Sequence, residues 1–390
     1  MKTPSTSNPN LKMKYAILGG GIAGLTTAIA LQKIGIYAQV FEAAADIKPL
    51  GAGLLLAANA VQAYERLGIA QKIAQRGRSL PSFEILDERG RIITQADATE
   101  ISRKYGLHNF AIHRADLHEA LLAELSPWQI TTGKRAIGFE KTDREITIRF
   151  QDGTSATTEH LIVADGIHSA IRRQLLPDSA PRYAGYTCWR AVIDAGDLEL
   201  SAATETWGTE GRFGIVPLEG NRIYWFACLN AAENDTRLSH FTVEDLQRHF
   251  GHYHTPVAEI LSKTKDADLI RNDIADLKPL DRFAFGNMVL IGDAAHATTP
   301  NLGQGACQAI EDAVVLADEL KKTSEPAVAF RAFEQRRLKR TQYIVNNSRA
   351  LGRVAQLSNP MLAAARNTLF RLLPASANER QMRTLYKVDF

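Results

Sequence analysis

With 390 residues, 45% hydrophobic and 23% charged, the chain is long enough for two domains with separate cores. A formal net charge of +3, without a Lys/Arg block, excludes a strongly basic nucleic-acid surface as the basis of function. Cys188, Cys228 and Cys307 have no metal-ligand or C-x-x-C spacing, and no apolar run approaches the ~20 residues that cross a bilayer. The expectation is a soluble, cytoplasmic protein without a metal.

Residues 1–13 are polar and Pro-containing, with no apolar stretch of a signal peptide, and read as a disordered tail. Tyr15-Ala16-Ile17-Leu18 then reads as a short buried strand. Gly19, Gly21 and Gly24 follow as G-x-G-x-x-G, and Ile22, Leu25 and Ile29 share one face of a helix that stops near Gly35. A second apolar run, Ala38 to Phe41, ends in Glu42. Gly19 permits the tight turn, Gly21 lets backbone approach a pyrophosphate, and Gly24 lets the helix pack on the strand. The helix N-terminus offers free N–H groups and a positive dipole end to phosphates. Glu42 is placed to accept a hydrogen bond from an adenosine ribose. The unit binds an adenine dinucleotide, and Glu42 suits the unphosphorylated ribose of NAD and of FAD alike.

Gly51-Ala52-Gly53-Leu54 has two readings: a backbone lying against a cofactor, or a loop that needs positive φ. Two later segments repeat the grammar of a strand followed by small residues and an acid. His160-Leu161-Ile162-Val163-Ala164 runs into Asp165-Gly166, then Ser169 and Arg172. Met288-Val289-Leu290-Ile291 runs into Gly292-Asp293, followed by Pro300, Gly303, Gln304 and Gly305 and a helix over Ala306–Leu320. Acids at the C-terminal ends of such strands lie where open α/β sheets bind ligands. The start of the 306–320 helix would direct N–H groups at the cofactor, although Gln304 also fits a plain helix cap.

Between these segments, residues 181–278, with a contribution from Leu80 to Gln95, alternate as antiparallel strands. Thr204-Glu205-Thr206-Trp207, Arg212–Val216 and Arg222–Leu229 read as successive strands, the last two joined through Leu218-Glu219-Gly220-Asn221. Arg212 and Tyr224 are placed to face one cavity beneath this sheet, the alternative being a surface Arg and a sheet Tyr. Tyr186, Trp189 and Arg190 have the same two readings. The expectation for Arg212 is that it acts on substrate and not on the fold. Ala327–Leu351 is an amphipathic helix. The basic, apolar segment Ala363–Pro374 is expected to pack on the dinucleotide-binding domain, membrane contact being the alternative.

Taken together, the three motifs resemble the class A single-component FAD-dependent monooxygenases, the para-hydroxybenzoate hydroxylase-like family, over roughly residues 14–345. Tyr183-Ala184-Gly185-Tyr186 and G-D-A-A-H-x-x-x-P are most similar to urate hydroxylases, zeaxanthin epoxidases and salicylate hydroxylases. The resemblance implies an α/β, Rossmann-like (glutathione reductase-type) FAD-binding domain with an inserted antiparallel-sheet substrate domain and C-terminal helices. It implies a discontinuous FAD-binding domain of 14–79, 96–180 and 279–352, a substrate domain of 80–95 and 181–278, and a helical segment 353–390. It also implies non-covalent FAD held by Gly19, Gly21, Ile22, Ala23, Gly24, Glu42, Ala43 and Gly53. Arg114 of His113-Arg114-Ala115-Asp116-Leu117, Asp165, Gly166, Arg172, Gly292, Asp293, Pro300, Gly303, Gln304 and Gly305 complete that set.

The implied chemistry is reduction of FAD by transient NADH or NADPH and reaction with O₂ to a flavin hydroperoxide. That species hydroxylates or epoxidises a small aromatic or polycyclic substrate, with Arg212, Tyr224 and Asp293 assisting, in a monomer or homodimer. Three alternatives stay open. One is an NAD-dependent dehydrogenase resting on Gly19–Glu42 alone, and another a flavin oxidoreductase without oxygen insertion. The third is a monooxygenase that modifies tetracycline-type antibiotics.

Overall fold

The computed structural model describes residues 13–46, 52–97 and 109–390, so most of the expected tail and Gly51 lie outside the described residues. The first strand is Met13–Leu18, so the tail expectation runs one residue too far. This strand pairs in parallel with Gln39–Phe41 on one side and Ser155–Val163 on the other. Met288–Leu290 joins Ser155–Val163, also in parallel. The side chains of Tyr15–Leu18, Leu161–Val163 and Met288–Leu290 are all buried, as expected of a parallel sheet covered on both faces. Helix Ile22–Lys33 packs on this sheet, and helix Gly305–Lys322 packs on Ile22–Lys33. Three expected motifs therefore end neighbouring strands at one sheet edge.

A second seven-stranded sheet forms a roof. Its order is Ile270–Leu277, Pro181–Asp194, Arg222–Asn230, Arg212–Leu218, Ala203–Trp207, Ser82–Leu86 and Ile92–Asp97. The segment before residue 96 thus pairs with strands more than a hundred positions later, through Ser82–Leu86 and Ala203–Trp207. Strand alternation gives the roof two faces. Phe213, Ile215, Trp225, Ala227 and Trp189 pack outward against helices Val243–Phe250 and Val257–Lys263, with Phe213 stacked on Trp225 at 5.3 Å. Trp189 therefore does not line the cavity: it stacks on Phe241 at 5.4 Å, one position out of phase with Cys188 and Arg190.

The long helix Pro326–Ala355 is followed by Pro360–Leu372, whose start is capped by the Asn359 side chain accepting from Met361 N and Leu362 N. Contrary to expectation, this second helix packs on the roof edge and not on the dinucleotide-binding sheet. Buried Arg366 donates to Val354 O, Ala355 O and Trp207 O, and Phe370 meets Trp207 edge-on at 5.4 Å. The carbonyls that end the long helix, together with Trp207, give that guanidinium its partners. Among the described residues no helix is long and apolar enough to cross a membrane.

Gly24 and Gly21 separate two reasons for glycine. A methyl group on Gly24 would collide with Gly19 O, whereas one on Gly21 would meet nothing within 4 Å. Gly21 also has an ordinary φ of −78°. Gly24→Ala should therefore cost about 1–3 kcal/mol through overpacking. Gly21→Ala should change flavin-free stability by less than ~0.5 kcal/mol, both measured by denaturant unfolding.

Candidate active site

A cavity of about 950 Å³ lies between the C-terminal ends of the parallel strands and the roof. At one end Gly19, Gly21, Ile22 and Ala23 form its wall, with Glu42 and Ala43 beside them. Gly19 sits at φ +99° against Ala164, so the turn brings two strand ends into backbone contact. The Glu42 carboxylate accepts from Gly20 N at 2.6 Å and Ala44 N at 2.7 Å, which fixes its position at the cavity edge. His118 Nε2 lies 2.6 Å from Gly20 O and so donates to it. This brace of the glycine turn escaped the sequence reading, since His118 lies just beyond the H-R-x-x-L segment. Arg114 is exposed and lines the cavity at the start of helix Arg114–Leu122.

Asp165 and Gly166 line the same cavity, although Asp165 and Asp293 come from distant segments. Burial raises the Asp165 carboxyl to about 6 against the lowering effect of its bond with Ser169, and its Oδ1 has no protein partner. A buried, unpartnered acceptor on a cavity-lining residue fits a bound polar group. Arg172 does not reach the cavity. It is wholly buried and donates to Ser179 Oγ, Ala294 O and Ile167 O at 3.2, 3.3 and 2.6 Å. Helical phase turns Arg172 inward, where it braces the Asp165 loop to the Asp293 loop, and presents Arg173 to the cavity instead.

Gly292 also lies beneath the surface, at φ +55°, with a methyl there only 2.7 Å from Ala23 Cβ. Its N–H is accepted by the buried Asp312 carboxylate at 2.8 Å, which also receives His296 Nε2 at 2.6 Å and Arg337 Nε at 2.7 Å. Asp293 is left exposed on the cavity side. Pro300, Gly303, Gln304 and Gly305 follow along the floor, where the Gly305–Lys322 helix begins. Gln304 makes no side-chain cap: its Oε1 accepts from Asn59 at 2.9 Å and Gln308 at 3.0 Å, so backbone alone faces the cavity. Neutral donors and acceptors around Glu311 continue this network to Arg337 and Arg340.

The roof contributes Arg212 and Tyr224, both facing inward. Tyr224 lies against Gly53, where a methyl would approach the ring to 2.6 Å. Gly53 thus makes room for a tyrosine while lining the cavity, and it has no positive φ. Burial raises the Tyr224 phenol, keeping it protonated at neutral pH.

Arg212 is a correction. It is only 2% exposed and donates to Glu205 at 2.8 Å, Asn301 at 2.9 Å and Gln356 at 2.8 Å. It also lies over the Tyr186 ring at 5.1 Å, which places Tyr186 behind Arg212. Burial opposes its charge, but Glu205 outweighs that and holds the guanidinium protonated. Arg212 therefore belongs to the fold as well as to the cavity. Its Nη2 and Arg190 Nε are buried and have no protein partner. Glu205 was missed, although the hairpin register sets Trp207 opposite Arg212 and so Glu205 diagonal to it.

The chain was compared with known proteins. A family model described as an FAD binding domain matches residues 12–348. Aurachin C monooxygenase/isomerase of Stigmatella aurantiaca is 35% identical over 375 residues, 96% of this chain and 97% of that protein. The 2-heptyl-3-hydroxy-4(1H)-quinolone synthase of Pseudomonas aeruginosa is 32% identical over 378 residues, 96% and 98% of the two chains. The crystal structure of Klebsiella pneumoniae HpxO complexed with FAD and uric acid superposes with a TM-score of 0.87 at 30% identity, covering 97% and 98%.

Two outcomes follow from this geometry. Arg212→Gln strands the Glu205 carboxylate and should cost about 3–5 kcal/mol. Adding Glu205→Gln should recover part of that loss, measured by denaturant unfolding. For Asp165, raised from 3.8 to about 6, the stabilisation is full below 3.8 and is lost as pH rises through about 6. Melting of flavin-free protein should fall across that window, and Asp165→Asn should flatten the fall.

Proposed function

The chain belongs to the FAD-binding family of class A flavoprotein monooxygenases, and we propose that it acts as an FAD-dependent aromatic hydroxylase. Within that family, we propose that it hydroxylates a bicyclic nitrogen heteroaromatic, a 4-quinolone or close analogue with an apolar side chain. We further propose NADH or NADPH as the transient reductant, O₂ as co-substrate and the cytoplasm, which keeps buried thiols reduced, as the location. The observation that carries the substrate reading is the roof end of the cavity. Leu55, Leu80, Phe83, Val216 and Phe226 give it apolar walls, while Arg212 and Arg190 line it, each with a buried nitrogen, Nη2 and Nε, that has no protein partner.

The residues present fit FAD. The open space at Gly21 accepts the pyrophosphate, Glu42 the adenosine ribose, and Arg114, Asp165 and Asp293 the remaining polar stretch. Bound FAD supplies reduction by the nicotinamide, activation of O₂ and delivery of one oxygen atom. The helix start at Gly303–Gly305 sets backbone N–H groups where negative charge develops. Arg212 and Arg190 fix a ring oxygen carrying negative charge, each charge-assisted bond contributing about 1.5–3 kcal/mol. Tyr224 closes the roof over Gly53, and the apolar walls exclude water from the ring. The FAD-binding portion is 14–79, 96–180 and 279–352, and the substrate portion 80–95 and 181–278; of the segment 353–390, helix Pro360–Leu372 braces the roof and Ala375–Tyr386 packs on the FAD-binding portion.

The test is substrate-stimulated NAD(P)H oxidation by FAD-loaded protein, with product mass followed for gain of one oxygen. A 2-alkyl-4-quinolone should be hydroxylated. Extending its chain by three methylenes should raise kcat/KM about tenfold or more, at ~0.8 kcal/mol per buried methylene. Preference for uric acid, or indifference to chain length, would overturn the substrate assignment.

A further inference from the structure

Cys188 and Cys228 stand directly opposite each other on the neighbouring antiparallel strands Pro181–Asp194 and Arg222–Asn230. The hydrogen bonds at both ends of this ladder identify the kind of pair they form. Ala231 N donates to Gly185 O and Ala195 N to Asn221 O, and each joins residues directly opposite in this register. Odd positions of the first strand are therefore the hydrogen-bonded sites. Even positions, including Cys188, are the non-hydrogen-bonded sites, where opposed Cα atoms lie ~4.5 Å apart and side chains are closest. That spacing falls at the near end of the range a disulfide spans, ~4.4–6.8 Å between Cα atoms.

Both thiols are free and face the cavity from the same side of the roof as Arg190 and Arg212. Arg212 is itself opposite Cys228, so the three side chains stand in one row across three strands. The thiols interact with each other. The contact with Cys228, and after it the nearby Arg190 and Arg212, bring Cys188 down to about 7, while the same contact and burial push Cys228 up. Cys188 is thus the more readily ionised thiol of the pair, the division of roles that disulfide formation needs. Cys307 has no such partner; its sulfur contacts only backbone of Ala57, Leu55 and Gly303.

We propose that Cys188 and Cys228 form a peroxide-sensitive modification site in the substrate wall, closing to a disulfide when hydrogen peroxide enters the cavity. The Cys188 thiolate attacks one peroxide oxygen, the O–O bond breaks, and hydroxide leaves and takes up the proton released by Cys228. Cys188 is then a sulfenic acid. The Cys228 thiolate attacks it, the S–O bond breaks, and the oxygen leaves as hydroxide, which takes from solvent the proton that Cys188 gave up on ionising and becomes water. The two thiols lose two electrons in total and peroxide is reduced to two waters. Peroxide is the only co-reactant, so the reaction is independent of which aromatic the enzyme accepts. The bridge ties the row that carries Arg212 and removes the thiolate beside Arg190. Substrate binding therefore changes while the FAD-binding sheet is untouched.

The test uses FAD-loaded, full-length protein treated with hydrogen peroxide, then alkylated and mapped by mass spectrometry. The expected result is a Cys188–Cys228 cross-linked peptide, lost on treatment with dithiothreitol, with Cys307 still alkylated. FAD content should be unchanged and substrate KM raised several-fold, returning on reduction. Cys228→Ser should halt at a sulfenic acid on Cys188 that dimedone traps. Alkylation of both cysteines after peroxide, a bridge through Cys307, or conversion of Cys188 to sulfinic acid in the unsubstituted protein would each overturn the proposal.

Discussion

The Asp312 carboxylate is the interaction on which the cavity floor depends. It receives the Gly292 N–H, His296 and Arg337 at once, joining the end of the Met288–Leu290 strand to helices Gly305–Lys322 and Pro326–Ala355. Burial alone would raise this carboxyl, but His296, Arg337 and the Gly292 N–H hold it below the usual carboxylate range. A buried charge so fully paired gives little net stability, yet losing one partner costs about 3–5 kcal/mol because the other charges stay buried. Its contribution is therefore geometric. With Gly292 pinned at positive φ, Asp293 can only project into the cavity and the next helix can only begin beneath it. Arg172 does the same from the neighbouring strand end, tying Ile167 to Ala294.

Floor and roof obey different constraints. The floor is backbone: glycine turns, a helix start and strand ends, each needing a conformation or a close approach that few residues allow. The roof is a two-faced sheet whose outward residues, Phe213, Trp225 and Trp189, supply the core. Its inward residues, freed from that task, line the cavity. This division explains how relatives named for urate, quinolone and aurachin chemistry share one architecture with this chain at about one-third identity or less. Arg212 crosses the division, because its guanidinium joins roof strands to Asn301 of the floor and Gln356 beyond the long helix.

What was legible in the sequence was what local geometry dictates. Gly19, Gly21 and Gly24 were assigned three separate purposes from spacing alone. In the structure a methyl on Gly24 collides with backbone, while one on Gly21 points into free space. The acids after two apolar runs could be placed at strand ends because runs of that length and composition must be buried strands. What stayed hidden depends on partners distant in sequence. Arg172 sits in a motif that suggests cofactor contact, but its helical phase and the carbonyls of Ile167 and Ala294 turn it inward. Gly53 reads as a glycine of a cofactor-contacting or positive-φ loop, and only the structure shows Tyr224, on a strand far away, occupying the space it leaves. The Pro360–Leu372 helix follows Trp207 and the last carbonyls of the preceding helix, none of which a periodicity identifies.

The central claim is that one cavity, walled by three motif segments below and the roof above, holds FAD and substrate together. A crystal structure of the protein with FAD and a 2-alkyl-4-quinolone tests it most directly. The expected result is the pyrophosphate over Gly21, the adenosine ribose at Glu42, and the flavin ring between Gly303–Gly305 and Tyr224. The quinolone oxygen should lie within hydrogen-bond distance of Arg212 or Arg190. A flavin ring outside this cavity, or a quinolone bound away from both arginines, would contradict it.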